Sequence, residues 1–115
     1  MIYFKIQNPR GEFMLIKENR KDHTVELEIS GRIDNSAAPV LEEELGKLLS
    51  RIIVWTIELD FSEVEYISSA GIRVLLKAQK NITENHELII KNPSKFCQQV
   101  FEVTGSDIFL TIKYN

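Results

Sequence analysis

The chain has 115 residues and one cysteine, Cys97. A lone thiol excludes an intramolecular disulfide and fits a reducing compartment. No apolar run approaches the roughly 20 residues of a membrane span, and no charged segment at the N-terminus leads into a long apolar one. A soluble, cytoplasmic chain with no membrane partner is therefore expected. Positive charge is not in excess: the net charge is −3, which argues against a nucleic-acid partner. Several motifs that carry chemistry are also missing. There is no glycine-rich phosphate loop ending in Lys-Ser/Thr, no Gly-x-Ser-x-Gly and no pair of histidines at metal-ligand spacing. His23 and His86 fall in predicted turns, where exposure is the simpler reading. Asp34 with Asp60 is the one conceivable acid–base pair, but loop aspartates more often cap or turn. The chain is expected not to be an enzyme and to need no cofactor or metal.

What is present is ordinary for a globular chain. Hydrophobic residues make up 43% and charged residues 27%, enough for one domain with a real core. Met1 to Ile6 alternates loosely as a short strand, and Asn8-Pro9-Arg10-Gly11 reads as a turn. Residues 1–12 thus form an N-terminal extension, an extra edge strand, ahead of a domain spanning 13–115. Phe13 to Lys17 is a second strand. Val25, Leu27 and Ile29 alternate with Glu26, Glu28 and Ser30, a half-buried strand that pairs with it antiparallel. Gly31 to Ser36 follows as a turn.

A helix is expected from Ser36 or Ala37 to Ser50, capped by Asn35 or Ser36, with Pro39 in its first turn. Leu41, Leu45, Leu48, Leu49 and Ile52 share its apolar side. Glu42, Glu43 and Glu44 belong on its wet face, as solvated charge and not a metal site. Later, Glu87 to Lys91 is a strand, and Asn92-Pro93-Ser94 starts a helix with Phe96, Cys97, Val100, Phe101 and Thr104 on one face. Gly105 caps that helix, and Ile108 to Ile112 is a last strand. Cys97 on that apolar face reads as an inert core thiol.

The central stretch is Ile52 to Leu76. A nearly continuous apolar run, Ile52 to Leu59, reads as a strand buried on both faces, with Trp55 in the core. Polar residues from Asp60 interrupt it as a turn. From Ala70 to about Asn81 the spacing of Ile72, Leu75, Leu76 and Gln79 is helical. Ser68 or Ser69 is its natural N-cap. A helix N-terminus carries free N–H groups and partial positive charge that favour an anion, and Gly71 leaves room for one. On local physics alone, a serine there is first of all a cap.

Strand and helix alternate after Val25, which implies parallel pairing through right-handed crossovers. The expected fold class is α/β: a single-domain mixed β-sheet with packed helices. Sites in such sheets lie beyond the carboxyl ends of the strands. There the segments 31–36 and 60–71 should meet, making Asp34 and Ser69 neighbours. Asp34, Asp60, Glu63 and Glu65 would make this end acidic and suit a basic partner. Tyr66 and Arg73, flanking the serines, are of the types favoured as partner anchors.

Ser68-Ser69-Ala70-Gly71-Ile72-Arg73 after a strand ending in Asp60-Phe61-Ser62 resembles the signature of STAS domains, specifically bacterial anti-sigma factor antagonists. Gly31-Arg32-Ile33-Asp34 with Ala38 and Leu41 resembles the family's turn into its first helix, and Asn92-Pro93 through Phe101 and Gly105 its later helix. The likeness runs from Phe13 to about Ile112. It implies a binding switch. Unphosphorylated, the protein binds an anti-sigma factor that is also a serine kinase and so frees the sigma factor; phosphorylation by that kinase ends the binding, and a phosphatase restores it. Carried over by position, the phosphate acceptor is Ser69, with Ser68 the alternative because Ser68 stands where many members have aspartate. Asp34, Asn35, Ser36, Ser68, Ser69, Gly71 and Arg73 would contact the partner. A second reading is a constitutive STAS adaptor of a transport or sensory complex, indifferent to phosphorylation. Members usually end in a further helix that is not seen after Lys113-Tyr114-Asn115; either residues 1–10 cover its place or an apolar face is left for self-association.

Overall fold

The alternation in Val25, Leu27 and Ile29 sets the architecture, because burying one side of that strand demands neighbours and a cover. The computed structural model describes residues 2–115. Six strands form one sheet in the order β1 (Ile2–Gln7), β2 (Phe13–Lys21), β3 (Thr24–Ile33), β4 (Thr56–Ile67), β5 (Glu87–Lys91) and β6 (Ile112–Lys113). β1, β2 and β3 pair antiparallel; β3 through β6 pair parallel. Helices α1 (Ala38–Leu49), α2 (Ser69–Asn81) and α3 (Lys95–Thr104) supply the connections. Their apolar sides and one face of the sheet make a single core around Ile57, Leu59, Phe61, Leu41, Leu75 and Phe101. The mixed α/β sheet with packed helices is therefore the fold.

The other face of the sheet carries mostly charged and polar side chains, with Leu15 and Ile89 the apolar exceptions. Lys17 reaches Glu28 at 3.7 Å, and Lys91 lies 3.9 Å from Glu26 and 3.8 Å from Glu58. β4 is accordingly buried on one side only, and it begins later and ends later than its apolar run suggests. Ile52, Ile53 and Trp55 lie before it in the connection from α1, exposed at 91%, 64% and 54%. Trp55 is not core: its ring stacks on His23 at 3.7 Å, and its backbone N–H donates to the His23 carbonyl. Residues 60–67, expected as a turn, continue the strand. The pairing with β3 shifts register between Glu28 and Ser30 and again between Gly31 and Arg32, so β4 carries extra residues at both places. Those shifts break the alternation that would have announced a strand.

Other boundaries move for local reasons. β2 and β3 run into a tight turn at Asp22, whose φ of 55° is left-handed, so the polar stretch Glu18 to His23, which reads as a loop in the sequence, is mostly strand. Gly31 to Ile33 is strand and not turn. Glu44 is buried at 7% exposure on α1, with Lys47 3.3 Å from its carboxylate; only Glu42 and Glu43 keep to the wetter side. On α2 the buried positions are Ile72, Val74, Leu75 and Ala78, while Leu76 and Gln79 are half-buried. On α3, Cys97 and Phe101 are buried but Phe96 and Thr104 are exposed. The segment expected as a long last strand is instead a short 3₁₀ turn, Ser106–Ile108, and then the two residues of β6. Gly105 caps α3 in the left-handed region with φ 73°.

Gly31 couples the hairpin to the parallel half of the sheet. Its φ is +90°, and a Cβ there would overlap the carbonyl oxygen of Phe13 on β2. Backbone cannot give way as a flexible side chain does. Gly31→Ala should destabilise the fold by about 2–4 kcal/mol, adding left-handed strain to the clash. Thermal unfolding checks this: a melting temperature within a degree or two of the wild type would contradict it.

Candidate functional site

Ile67 ends β4 with its side chain in the core, so the next residue must turn the chain off the sheet and into α2. Ser68 does this in an extended conformation (φ −83°, ψ 169°). Its N–H donates to the Ile33 carbonyl at 2.9 Å, which ties the ends of β3 and β4 together. Its hydroxyl accepts the Gly71 N–H at 3.2 Å, and its carbonyl accepts the Ile72 N–H at 3.0 Å. Ser68 is thus the N-cap and is 7% exposed. Ser69, the first residue of α2, is exposed. Two adjacent hydroxyls that the sequence leaves equivalent have different surroundings: one is spent inside, the other is open.

Gly71 is buried and faces the sheet, not an incoming ligand. A Cβ there would stand 2.7 Å from Ile67 Cγ1 and 2.9 Å from Ile33 Cγ2. Its missing side chain lets the first turn of α2 press onto both strand ends. The expectation that it leaves room for a phosphate is replaced by this packing role.

The loop from β3 to α1 is built around Asp34. Its Oδ1 accepts from the Ser36 N–H at 3.1 Å, the Ser36 hydroxyl at 2.8 Å and the Ala37 N–H at 2.9 Å. Its Oδ2 accepts from Asn8 Nδ2 at 3.1 Å. Asn35 or Ser36 was expected to cap α1; the cap position is Ala37, whose side chain has no acceptor, and Asp34 supplies the oxygen instead. Partial burial pushes the Asp34 carboxyl up, but the bonds from Ser36, Ala37 and Asn8 outweigh it and hold the group below the ordinary aspartate range. Asp34 is committed to shaping the loop, which presents Asn35 and Ser36 outward, both exposed.

These pieces meet in an open groove of about 450 Å³ at the carboxyl ends of β3 and β4. Asp34, Asn35, Ser36 and Ser68 line it together with Arg10 and Arg32. The Arg32 guanidinium sits over the Tyr66 ring at 4.2 Å, and Tyr66 in turn lies 5.7 Å from Phe96 of α3. A second hollow of about 220 Å³ between α1 and α2 takes Asn35, Ala70 and Arg73, closed by the Lys77–Glu42 ion pair at 2.6 Å. Asn35 belongs to both. Ser69 lines neither and is exposed at the start of α2. Asp34 and Ser69 are therefore brought to one end of the molecule, but the groove itself is shared by Asp34 and Ser68.

Two expectations about charge change. Asp60 and Glu63 line a separate hollow on the polar sheet face with Lys17 and Glu28, while the charged side chains added at the groove are arginines. Arg10 and Asn8 were read only as a turn. Their sole signal was the Asn-Pro-Arg-Gly tetrapeptide, which marks a turn but not what the turn touches.

Asp34 gives a pH test with a definite sign. Its folded titration lies below its unfolded one, so its contribution is present above the ordinary aspartate range and is lost as pH falls through the lowered value. Asp34→Ala should cost about 1 kcal/mol at neutral pH, the usual worth of such a cap. In denaturant titrations the gap to the wild type should narrow only below about pH 4. A gap that stayed constant down to pH 2 would remove the carboxylate from the account. Gly71→Ala should cost about 1–3 kcal/mol by overpacking against Ile33 and Ile67, measured the same way.

Comparison with known proteins agrees with this geometry. A family model described as "Mlab, STAS domain" matches residues 16–111. The anti-sigma-B factor antagonist of Listeria monocytogenes is 31% identical over 101 residues, covering 85% of each chain. Among solved structures, an anti-sigma factor antagonist from Mycobacterium paratuberculosis superposes with a TM-score of 0.79 at 20% identity, over 93% of this chain and 89% of its own. The unphosphorylated antagonist SpoIIAA gives 0.72 at 19% identity, over 85% of this chain and 87% of its own. The phosphorylated form of that Bacillus protein gives 0.67 at 19% identity, over 85% and 90%. With the family model covering most of the chain and the sheet, the Ser68 cap and the Asp34 loop in place, the chain belongs to the STAS-domain family of anti-sigma factor antagonists.

Proposed function

We propose that the chain is a phosphorylation-controlled binding switch. Unphosphorylated, it binds an anti-sigma factor with serine kinase activity and so releases the sigma factor; a phosphate on Ser69 ends the binding, and a phosphatase resets it. The observation that carries this reading is the exposed Ser69 hydroxyl at the first position of α2, beside a Ser68 hydroxyl already held by Gly71. A kinase needs a reachable oxygen. Ser68, 7% exposed and capping the helix, is the poorer acceptor. The curated relative named an anti-sigma-B factor antagonist supports the partner class.

The physics of the switch is local. A phosphoserine carries roughly −1.5 to −2 charges at neutral pH. At the start of α2 that charge faces the helix's free N–H groups and has no acidic residue in the first turn to repel it, so the domain stays folded. The cost falls on the partner. An unpaired anion placed in an interface costs several kcal/mol, and each ~1.4 kcal/mol is a tenfold loss of affinity. Asn35, Ser36 and Arg73 then form the contact surface around Ser69, with Asp34, Ser68 and Gly71 shaping it from inside.

The experiment is capture of partners from the source cells by the tagged chain, with mass spectrometry of both bait and prey. Phosphate should map to Ser69, and Ser69→Ala should retain an anti-sigma factor. Ser69→Asp should lose at least about tenfold in affinity for it. Equal binding by both variants would instead support a constitutive adaptor, and phosphate on Ser68 would overturn the acceptor assignment.

A further inference from the structure

The turn between β1 and β2 lies outside residues 16–111 matched by the family model, yet it is wired into the site. Asn8 is the junction. Its Oδ1 accepts the N–H groups of Arg10 and Glu12, both at 3.0 Å, which closes the turn. Its Nδ2 donates to Glu12 Oε1 at 3.0 Å and to Asp34 Oδ2 at 3.1 Å, which fastens the turn to the loop ahead of α1. Every hydrogen-bonding group of the Asn8 amide therefore serves one of two purposes, shaping the turn or latching it.

Glu12 makes the second tie. Its carboxylate lies 3.0 Å from Arg10 and 3.2 Å from Arg32 Nε. The Arg32 contact is an ion pair out of hydrogen-bonding line, so that buried Nε–H has no hydrogen-bond partner among the described residues. The bond from Asn8 first, then the charges of Arg10 and Arg32, hold the Glu12 carboxyl below its ordinary range. Arg10 is left with a side chain 76% exposed on the rim of the groove that contains Ser36 and Ser68.

We infer that the Asn8–Glu12 turn is a working part of the recognition surface: Asn8 positions the Asp34 loop, and Arg10 contributes a cation to the groove rim that receives a carboxylate from the anti-sigma factor. The inference rests on the binding reading above and says which side of the partner must face the groove. The Asp34 carboxylate is held within its loop and Glu12 is shared between Arg10 and Arg32; Arg10, though paired with Glu12 at 3.0 Å, keeps its side chain 76% exposed and is the guanidinium the rim still turns outward. An acidic side chain on the partner matches it, and a basic one does not.

Two kinds of variant test it. Asn8→Asp keeps the Oδ1 acceptor that closes the turn but sets a carboxylate against Asp34 where the amide donated. Amide hydrogen exchange by NMR on the unbound protein should then show Ser36 and Ala37, the two N–H groups held by Asp34, exchanging about tenfold faster or more. Core amides such as Leu27 and Leu59 should be unchanged, which reports that the sheet is intact. Unchanged exchange at Ser36 and Ala37 would overturn the positioning role. Arg10→Glu removes an exposed ion pair and sets a carboxylate beside Glu12, so hydrogen exchange at Ser36 and Ala37 is read on this variant too and should match the wild type, reporting that the Asp34 loop is still held. The affinity of Arg10→Glu should be measured for the anti-sigma factor identified with the wild-type chain, and should fall at least about tenfold as a like charge meets the partner's carboxylate. If Arg10→Glu binds as the wild type does while Ser69→Asp does not, the rim contact is wrong and the switch stands. If neither variant loses affinity, the switch reading fails and this inference with it.

Discussion

One hydrogen bond fixes the relation between the parts that matter. The Ser68 N–H reaches the Ile33 carbonyl at 2.9 Å and so joins the ends of β3 and β4 at the point where both chains leave the sheet. Gly71 then lets α2 sit directly on that joint, against Ile33 and Ile67. A larger residue at 71 would lift the helix, and a residue at 68 without a side-chain acceptor would lose the cap that holds its first turn. From this joint follow the direction of α2, the exposure of Ser69, and the closeness of the Asp34 loop, which starts one residue after Ile33. The candidate site is less a set of placed side chains than a consequence of how two strands end.

How legible this was depends on which signal each element carried. The half-buried alternation of β3, the helical spacing of α1, the Gly105 cap and the serine-capped start of α2 read directly from the chain, because each rests on local pattern. β4 did not. Its charged and polar positions, Glu58, Asp60, Ser62, Glu63 and Glu65, sit on the uncovered face of the sheet, where water solvates them. Two register shifts then pass between it and β3, leaving Ser62 and Glu63 both exposed in succession. A strand with polar neighbours and a broken period looks like a turn. The opposite error arose just upstream, where Ile52, Ile53 and Trp55 carry strand propensity but occupy the connection from α1. There, tertiary pairing with β5 and β3 decides where the strand begins.

The site was legible to a similar depth. The family resemblance points to Asp34, Asn35, Ser36, Ser68, Ser69 and Arg73, and the fold gathers them at one end. What no motif contained was the direction each group faces. Ser68 and Ser69 differ by one residue and by nearly everything in their surroundings, since a helix start turns successive side chains by about 100°. Asn8 and Arg10 were invisible for another reason. The link from Asn8 to Asp34 spans 26 residues of sequence and carries Arg10 to the groove with it, and an Asn-Pro-Arg-Gly turn would read the same if it pointed into solvent.

The arrangement also separates stability from regulation, which is what a reversible switch requires. The groups that hold the joint are inside or already bonded: the Ser68 hydroxyl, Gly71, Ile33 and the Asp34 carboxylate. The groups proposed to meet a partner, Ser69, Arg73, Asn35, Ser36 and Arg10, are exposed and contribute little to the core. Charge added to the second set changes what can dock without disturbing the first. On the proposed reading the acceptor is the open hydroxyl; were it the cap, which is 7% exposed, each cycle of modification would have to uncover the joint and so link signalling to partial unfolding. Placing the open hydroxyl one residue along avoids that link. On that reading the same domain persists in two charge states, with the difference confined to its surface.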